Sequence, residues 1–367
     1  MHPERIVIKT GTSSLITAGR IDPAKAEALA DSVAELARAG LRPVLVASGA
    51  IAQGRSLLAA DGAAAGPEDG AGRRLAAAVG QGALFESFRA GLARRGLTAA
   101  QFLFTPLDLC DPAHRDGLGS ALDRALERGI VPVVNENDAL QVRNNDILAA
   151  LLAVLLDARL LALLTDVPGL YGSDPRTDPG ARLVPEAAGM TVELERLAGV
   201  SAGGPGTGGM VSKLGAVWIA ALSGVTAAIA AAAEPQVLER ILAGERVGTL
   251  VRPRERTGRG PGLEALWRSF SEPPRATLYC SPAAERAVAA GLAVPADLVL
   301  GATGSFAAGD VADLVSGPVS GTGGTGPVIA RGRTLLGAAD LGDSRPRPAG
   351  TPTVLHPTAY VSLLEAP

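Results

Sequence analysis

Short runs of apolar residues recur along the first two thirds of the chain, and each ends at polar or turn-forming residues. The runs are RIVIKT, PVLVAS, QFLFT, VPVVN, LLALLT and VTAAIAA. Ala/Leu-rich stretches with helical spacing separate them, which predicts that strands and helices alternate. This alternation is typical of an α/β fold, with a mostly parallel sheet sandwiched by helices. Ligands of such sheets bind at the carboxyl ends of the strands, so the residues that follow each strand are the first candidates for function.

Proline and glycine mark the predicted helix ends. PAKAEALADSVAELARAG has Pro23 at an early helical position and Gly40 past its end. The most apolar segment, residues 147 to 165, carries Asp157 and Arg159 near its middle. We therefore interpret this segment as a helix followed by a strand, and not as a membrane span.

The pattern changes near residue 255. Residues 256 to 274 are rich in Arg, Gly and Pro around one short helical piece, which predicts a linker. From residue 275 to about 360, the short β-like runs GSFAAGDVADLV, GPVIARGRTLL and TPTVLHPTAYVSLL alternate with Gly-rich turns. We expect residues 1 to 255 to form the α/β domain and residues 275 to 360 a small β-rich domain.

Composition narrows the class of ligand. The 367 residues are 47% hydrophobic but only 3% aromatic, so we expect a core of Ala, Leu and Val. The formal net charge of −3 argues against a nucleic-acid coat or a polybasic membrane contact, and small molecules are the expected ligands. Cys110 and Cys280 show no paired spacing, and the first ten residues lack the apolar run of a signal peptide. These features predict reduced thiols in a cytosolic protein.

All four asparagines of the chain lie in one stretch, VVNENDALQVRNND, at positions 135, 137, 144 and 145. One helix cap explains one amide, but not four amides beside Glu136, Asp138 and Asp146. The stretch is typical of a polar cradle for a small substrate that carries both an ammonium and a carboxylate group.

Lysine is also rare, since only Lys9, Lys25 and Lys213 occur. Lys9 ends the first strand and runs into TGTSS, which outlines a phosphate site, although a surface lysine before a turn gives the same pattern. Lys213 closes GTGGMVSK ahead of a predicted helix, an arrangement that favours phosphate binding but lacks the Walker spacing. A second GTGG, at residues 321 to 324, has no lysine behind it and predicts a hairpin loop.

Two further polar positions follow predicted strands. Ser48 comes after the second apolar run, where it either binds substrate or caps the next helix. Asp166 comes after LLALLT and just before Pro168 and Gly169. This residue either holds part of a nucleotide or simply forms the turn.

Seven motifs resemble, in order and spacing, those of the glutamate 5-kinases of the amino acid kinase family. They are IKTGTSSL, VASGAIAQG, AAVGQGAL, VPVVNENDA, NNDILAAL, LLTDVPGLYGSDPR and GTGGMVSKLGAV, which span residues 5 to about 250. The residues from 275 onwards resemble, more weakly, the PUA domain that many of these kinases carry. The resemblance implies transfer of a phosphoryl group from ATP, with Mg²⁺, to the γ-carboxylate of L-glutamate, the first step of proline biosynthesis. It also implies a cytoplasmic homo-oligomer, either a dimer or a tetramer.

The resemblance implies roles for single residues as well. Lys9 and Lys213 would hold the phosphoryl group from opposite sides, with Asp146 fixing both ammonium groups. Ser48, Asp138 and Asn145 would bind glutamate. The residues implied in ATP binding are Lys9, Thr165, Asp166, Thr207, Gly208, Gly209, Met210, Val211, Ser212 and Lys213. No residue is implied as a metal ligand.

Two departures from the family pattern lie in the asparagine-rich stretch. The loop after NENDA is several residues shorter, and Arg143 and Asn144 stand where Gly and Asp are expected. The lost carboxylate can change substrate affinity, and the shorter loop can remove feedback inhibition by proline. The alternatives are a related kinase for another amino acid, or an inactive kinase-like regulatory or RNA-binding protein. Residues 275 to 367 contain six Arg, no Lys and seven Asp plus Glu, so we do not expect RNA binding.

Overall fold

The computed structural model describes residues 4–60, 69–140, 144–173, 175, 178–200, 208–253, 260–317, 326–341 and 352–364. The chain divides into two compact units, Met1–Arg254 and Glu255–Pro367. The strands of the first unit are β1 (Arg5–Thr10), β2 (Ile16–Thr17), β3 (Arg20–Ile21), β4 (Arg42–Val46), β5 (Ala99–Phe104), β6 (Val131–Glu136), β7 (Leu160–Thr165), β8 (Glu186–Ala187), β9 (Thr226–Ala231) and β10 (Thr249–Val251). Its helices are α1 (Thr12–Leu15), α2 (Pro23–Arg38), α3 (Ala50–Ala60), α4 (Gly70–Ala93), α5 (Pro106–Cys110), α6 (Pro112–Glu127), α7 (Asn145–Leu155), α8 (Val192–Val200), α9 (Gly208–Leu222) and α10 (Val237–Leu242).

Eight strands of the first unit form one sheet in the order β5-β6-β4-β1-β7-β9-β10-β8. All pairs from β5 to β9 are parallel, and β10 runs antiparallel to β9. The six apolar runs each form one of these strands, which confirms the predicted α/β class. Strands β6 and β7 are buried along their whole length, as expected for strands covered on both faces.

Helices cover both faces of this sheet, and Lys9 points to the face that helix α7 covers. On one face, Ile8 of β1 packs into a core with Val33 of α2, Phe88 of α4 and Leu238 of α10. Side chains alternate along a strand, so Lys9 points to the opposite face. Helix α7 lies on that face and contacts β1 and α9.

Residues 147 to 165 form most of helix α7, a short turn and strand β7, as predicted. Helix α7 is buried from Asp146 to Ala153, so its apolar composition reflects a position inside the protein. Within the described part of the chain, no helix is both long and apolar enough to cross a membrane.

The second unit is mostly β-structure. Its strands are β11 (Ala276–Cys280), β12 (Val294–Pro295), β13 (Val299–Gly304), β14 (Val311–Ser316), β15 (Val328–Arg333), β16 (Thr353–Leu355) and β17 (Tyr360–Ser362). Its helices are α11 (Leu263–Phe270), α12 (Pro282–Ala289) and α13 (Ala338–Leu341). Five strands form a sheet in the order β13-β11-β14-β15-β17, in which only the β11–β14 pair is parallel. The predicted β-rich C-terminal region is confirmed at this level.

The predicted linker contains helix α11, which belongs to the second unit. Leu263, Leu266, Trp267 and Phe270 form a buried apolar face at helical spacing, and α11 contacts β15 and β17. The guanidinium of Arg331, paired with Asp313 on the neighbouring strand at 2.6 Å, lies 5.5 Å from the ring centre of Phe270. The tertiary contacts of this amphipathic face explain why residues 263–270 are not a linker.

Candidate active site

Three charged side chains meet at the carboxyl edge of the central sheet. Lys9 Nζ lies 2.7 Å from Asp146 Oδ1, and Lys213 Nζ lies 3.4 Å from Asp146 Oδ2. All three side chains are less than one tenth exposed. Two ammonium groups face a single carboxylate, so the cluster has a net positive charge in a place that water hardly reaches. Such a cluster attracts an anion such as phosphate.

The pKa of each partner reflects this arrangement. Burial alone would raise the pKa of the Asp146 carboxyl, but the charges of Lys9 and Lys213 and the bonds from Lys9 and Ser212 hold it below its usual value. Burial lowers the pKa of the Lys9 ammonium, and the charge of Lys213 lowers it further. The Asp146 carboxylate offsets part of that decrease. Asp146 therefore helps to keep Lys9 charged.

Helix α7 places Asp146 at its first turn. The Asn144 side-chain oxygen accepts a hydrogen bond from the Asp146 backbone N–H at 2.9 Å, so Asn144 is the N-cap of the helix. The positive end of the helix dipole favours the carboxylate at this position. The sequence left open whether Asn144 is a cap or part of the cradle, and the structure shows the cap.

Helix α9 supplies the other side of the cluster. The Ser212 hydroxyl donates to Asp146 Oδ2 at 2.6 Å, and Lys213 Nζ donates to the Gly209 carbonyl at 3.1 Å. An ammonium group has three hydrogens, and Asp146 and Gly209 are its two acceptors among the described residues. None of the described residues accepts its third hydrogen. Ser212, predicted only as a nucleotide contact, also binds the central carboxylate.

A row of side-chain amides runs beside the charged cluster. Asn145 Oδ1 accepts from the Glu136 backbone N–H at 3.0 Å, so its Nδ2 must face the other way. Within reach of Nδ2 are Asn135 Oδ1 at 2.7 Å, Ser48 Oγ at 3.1 Å and the Ala47 carbonyl at 3.2 Å. As an acceptor from Asn145, the Ser48 hydroxyl keeps its own hydrogen for a carboxylate ligand.

Two residues in this row had no predicted individual role. Asn135 Nδ2 donates to the Gln81 side-chain oxygen at 2.7 Å, which links helix α4 to the carboxyl end of β6. The rarity of asparagine marked Asn135 as part of the cradle, but no feature of the sequence indicated its partner. Gln81 lies in the motif AAVGQGAL, which carried no assigned function.

Asp138 lies just past the end of β6 and is partly buried. Burial raises the pKa of its carboxyl to about 6, and the nearby charge of Arg73 offsets only part of this increase. A carboxylate that is hard to ionise in the free protein gains most from a cationic ligand such as an ammonium group.

The structure describes all but one of the remaining predicted site residues. Thr165 ends β7 and donates to the exposed Asp166 carboxylate at 3.1 Å. Gly208, Gly209, Met210 and Val211 form the first turn of α9. Thr207, Arg143 and the second GTGG lie outside the described residues.

Comparison with known proteins identifies the class to which this fold and site belong. The family model "Amino acid kinase family" matches residues 4–231, and the chain therefore belongs to that family. A glutamate 5-kinase from Frankia casuarinae is 41% identical over 92% of this chain and 88% of its own length. A glutamate 5-kinase from Neisseria meningitidis is 32% identical over 99% of this chain and 97% of its own length. Within the amino acid kinase family, the chain belongs to the glutamate 5-kinases.

One solved structure extends the comparison. The UMP kinase of Bacillus anthracis matches 68% of this chain and 97% of its own, with 17% sequence identity and a TM-score of 0.48.

Proposed function

We propose that the protein transfers the γ-phosphoryl group of ATP to the γ-carboxylate of L-glutamate, which is the first step of proline biosynthesis. The observation that carries the proposal is the contact of Asp146 with both Lys9 and Lys213 in a buried cluster. The glutamate 5-kinase relatives, similar over most of the chain, support the choice of substrate. The Ser48 hydroxyl accepts from Asn145 and therefore keeps its own hydrogen to donate to the amino acid.

The chemistry joins two anions, because a carboxylate oxygen attacks a phosphorus atom that carries negative oxygens. Positioning and charge neutralisation therefore supply most of the rate enhancement. Lys9 and Lys213 neutralise the oxygens of the transferred group, and Asp146 keeps both ammonium groups aimed at one point. Ser212 holds the second oxygen of Asp146, which fixes the carboxylate between the two lysines.

The proposed Mg²⁺ accompanies ATP. Among the described residues, no group of three or more His, Cys, Asp or Glu side chains is arranged to hold a metal ion. Asp146 is already bound by two lysines and a serine. Mg²⁺ would bind phosphate oxygens of ATP and water, which it commonly retains, and the protein steps above do not depend on it.

The proposal is tested by trapping acyl phosphates as hydroxamates. The purified protein is given ATP with glutamate, aspartate or N-acetylglutamate, and product is expected with glutamate. Product with another amino acid alone would assign a different carboxylate substrate. RNA binding at physiological salt without any ATP turnover would favour the regulatory alternative. Cys110 and Cys280 are not joined in a disulfide, and the proposed location is cytoplasmic. The homo-oligomer stays a prediction, which light scattering can measure.

Asp138 gives a prediction about pH. If its carboxylate binds the glutamate ammonium, it must be ionised, and its pKa is about 6 in the free protein. We expect kcat/KM for glutamate to rise by up to about tenfold per pH unit below this pKa and to level off above it. Asp138→Asn should lower kcat/KM and flatten the profile. An acid limb that survives in Asp138→Asn would come from another group.

Asn144 gives a prediction about substrate affinity. Asn144→Asp keeps a side-chain oxygen for the helix cap and adds an anion beside the site. We expect the KM for glutamate to fall roughly threefold through attraction to its ammonium, with the KM for ATP nearly unchanged. The two KM values are measured under saturating co-substrate. If glutamate kinetics stay the same while Asp138→Ala abolishes them, residue 144 is a helix cap only.

A further inference from the structure

Gln81 is the far end of the amide row that leads to the substrate site. Its side-chain oxygen accepts from Asn135 Nδ2 at 2.7 Å, and Asn135 Oδ1 accepts from Asn145 Nδ2 at 2.7 Å. The row thus connects helix α4 to the first residue of helix α7 through the carboxyl end of β6.

The direction of these hydrogen bonds is fixed from one end. A backbone N–H can only donate, so the Glu136 N–H requires the oxygen of Asn145 to face it. Asn145 Nδ2 then donates to the Asn135 oxygen, which leaves Asn135 with only a donor to offer at its other side. Gln81 supplies the acceptor that this donor needs. Asn135 is only 2% exposed, so water can hardly replace that acceptor.

Close contact of helices α3 and α4 places Gln81 there. A Cβ atom on Gly80 would lie 2.0 Å from the Ala50 carbonyl oxygen, and one on Gly54 would lie 1.8 Å from that of Ala76. Only glycine permits such an approach of two helix backbones. Helix α3 begins two residues after Ser48, so the same crossing anchors both Gln81 and Ser48 beside the amide row.

We infer that Gln81 is a positioning residue for the amino acid substrate: it orients Asn135, and through Asn135 it holds Asn145 in the geometry that binds glutamate. The inference rests on the proposed function for the identity of the substrate. Because Gln81 acts through Asn135, its effect should fall on glutamate binding and spare ATP.

The test compares three variants with the unmodified protein. Gln81→Met gives a side chain of similar length without the oxygen that accepts from Asn135. Gln81→Glu retains an accepting oxygen at that position. Gln53→Met is the matched control. Gln53 lies on helix α3 and is also partly buried, and its side-chain oxygen accepts a hydrogen bond from the Ile21 backbone N–H at 2.9 Å. We expect Gln81→Met to raise the KM for glutamate about tenfold and to change the KM for ATP less than about twofold. Gln81→Glu should stay close to the unmodified protein, as should Gln53→Met.

A second measurement needs no substrate. Because the chain has only four asparagines, labelling them with nitrogen-15 in the side chain gives four pairs of amide peaks, one pair for each residue, in a proton–nitrogen NMR spectrum. The signals of Asn135 and Asn145 should shift in Gln81→Met, whereas Gln53→Met should leave them in place.

The outcomes separate the inference from the proposed function. An unchanged KM for glutamate in Gln81→Met, or equal increases in both KM values, would overturn the positioning role. Unshifted Asn135 and Asn145 signals in that variant would do the same. If the unmodified protein forms no product from glutamate, the proposed function fails, and the NMR comparison still decides whether Gln81 orients the asparagines.

Discussion

Lys213→Ala is expected to lower kcat roughly a hundredfold while changing the KM for ATP much less. Lys213 is held by Asp146 and the Gly209 carbonyl, and in the proposed reaction its third hydrogen binds the migrating phosphoryl group. The negative charge on that group is redistributed in the transition state, where a preorganised cation stabilises it most. Loss of one such contact costs on the order of 3 kcal/mol, which corresponds to the expected change in rate. Steady-state kinetics with both substrates measures the effect.

Lys25→Ala is the matched control for this prediction. Lys25 is the third lysine of the chain, and its ammonium contacts the Ser13 carbonyl at an exposed position. Its removal should leave kcat within about twofold, since exposed contacts of this kind contribute little. Turnover of Lys213→Ala close to that of the control would contradict the assignment of Lys213.

Asp146→Asn should have the larger effect, because it leaves two buried ammonium groups without their common counter-charge. Their repulsion should displace both lysines and lower the pKa of Lys9 further, since Asp146 supports its charge. We expect kcat to fall about a thousandfold or more, and residual activity to decrease as pH rises and Lys9 loses its proton. Breaking a buried ion pair should also reduce the free energy of unfolding by about 3 kcal/mol.

Asp313→Asn is a control that separates the loss of activity expected for Asp146→Asn from its loss of stability. Asp313 forms a buried ion pair with Arg331 in the second unit, so its loss should also destabilise the protein. It should leave kcat unchanged at temperatures where that unit stays folded. If Asp146→Asn lowers stability but leaves kcat within a few fold, Asp146 has a structural role alone.

The sequence predicts six of the eight strands of the large sheet, because each of the six is a continuous apolar run that ends at polar or turn-forming residues. It does not predict β8 and β10, which are only two and three residues long. It also marks Lys9, Lys213 and the asparagines, because those residue types are scarce elsewhere. Local sequence patterns do not indicate that Lys9 pairs with Asp146. Lys9 and Asp146 are 137 positions apart, and their contact depends on which face of β1 is covered by helix α7.

Gln81 and helix α11 show the same limit. Gln81 meets Asn135 across 54 positions because two glycines let helices α3 and α4 cross closely, and such a crossing leaves no periodic signal. The Arg, Gly and Pro around residues 263–270 predict a linker. Only the surface offered by β15 and β17 explains why the apolar face of α11 is buried.

The arrangement around Asp146 bears on how much the protein must rearrange when phosphate arrives. In many cationic sites the charges are hydrated before binding, and water must be removed when the ligand enters. Here one carboxylate already holds both ammonium groups in a place that water hardly reaches, and the Ser212 hydroxyl holds that carboxylate. A phosphoryl group therefore meets cations that are already in position and poorly hydrated, so little solvent reorganisation accompanies the chemical step.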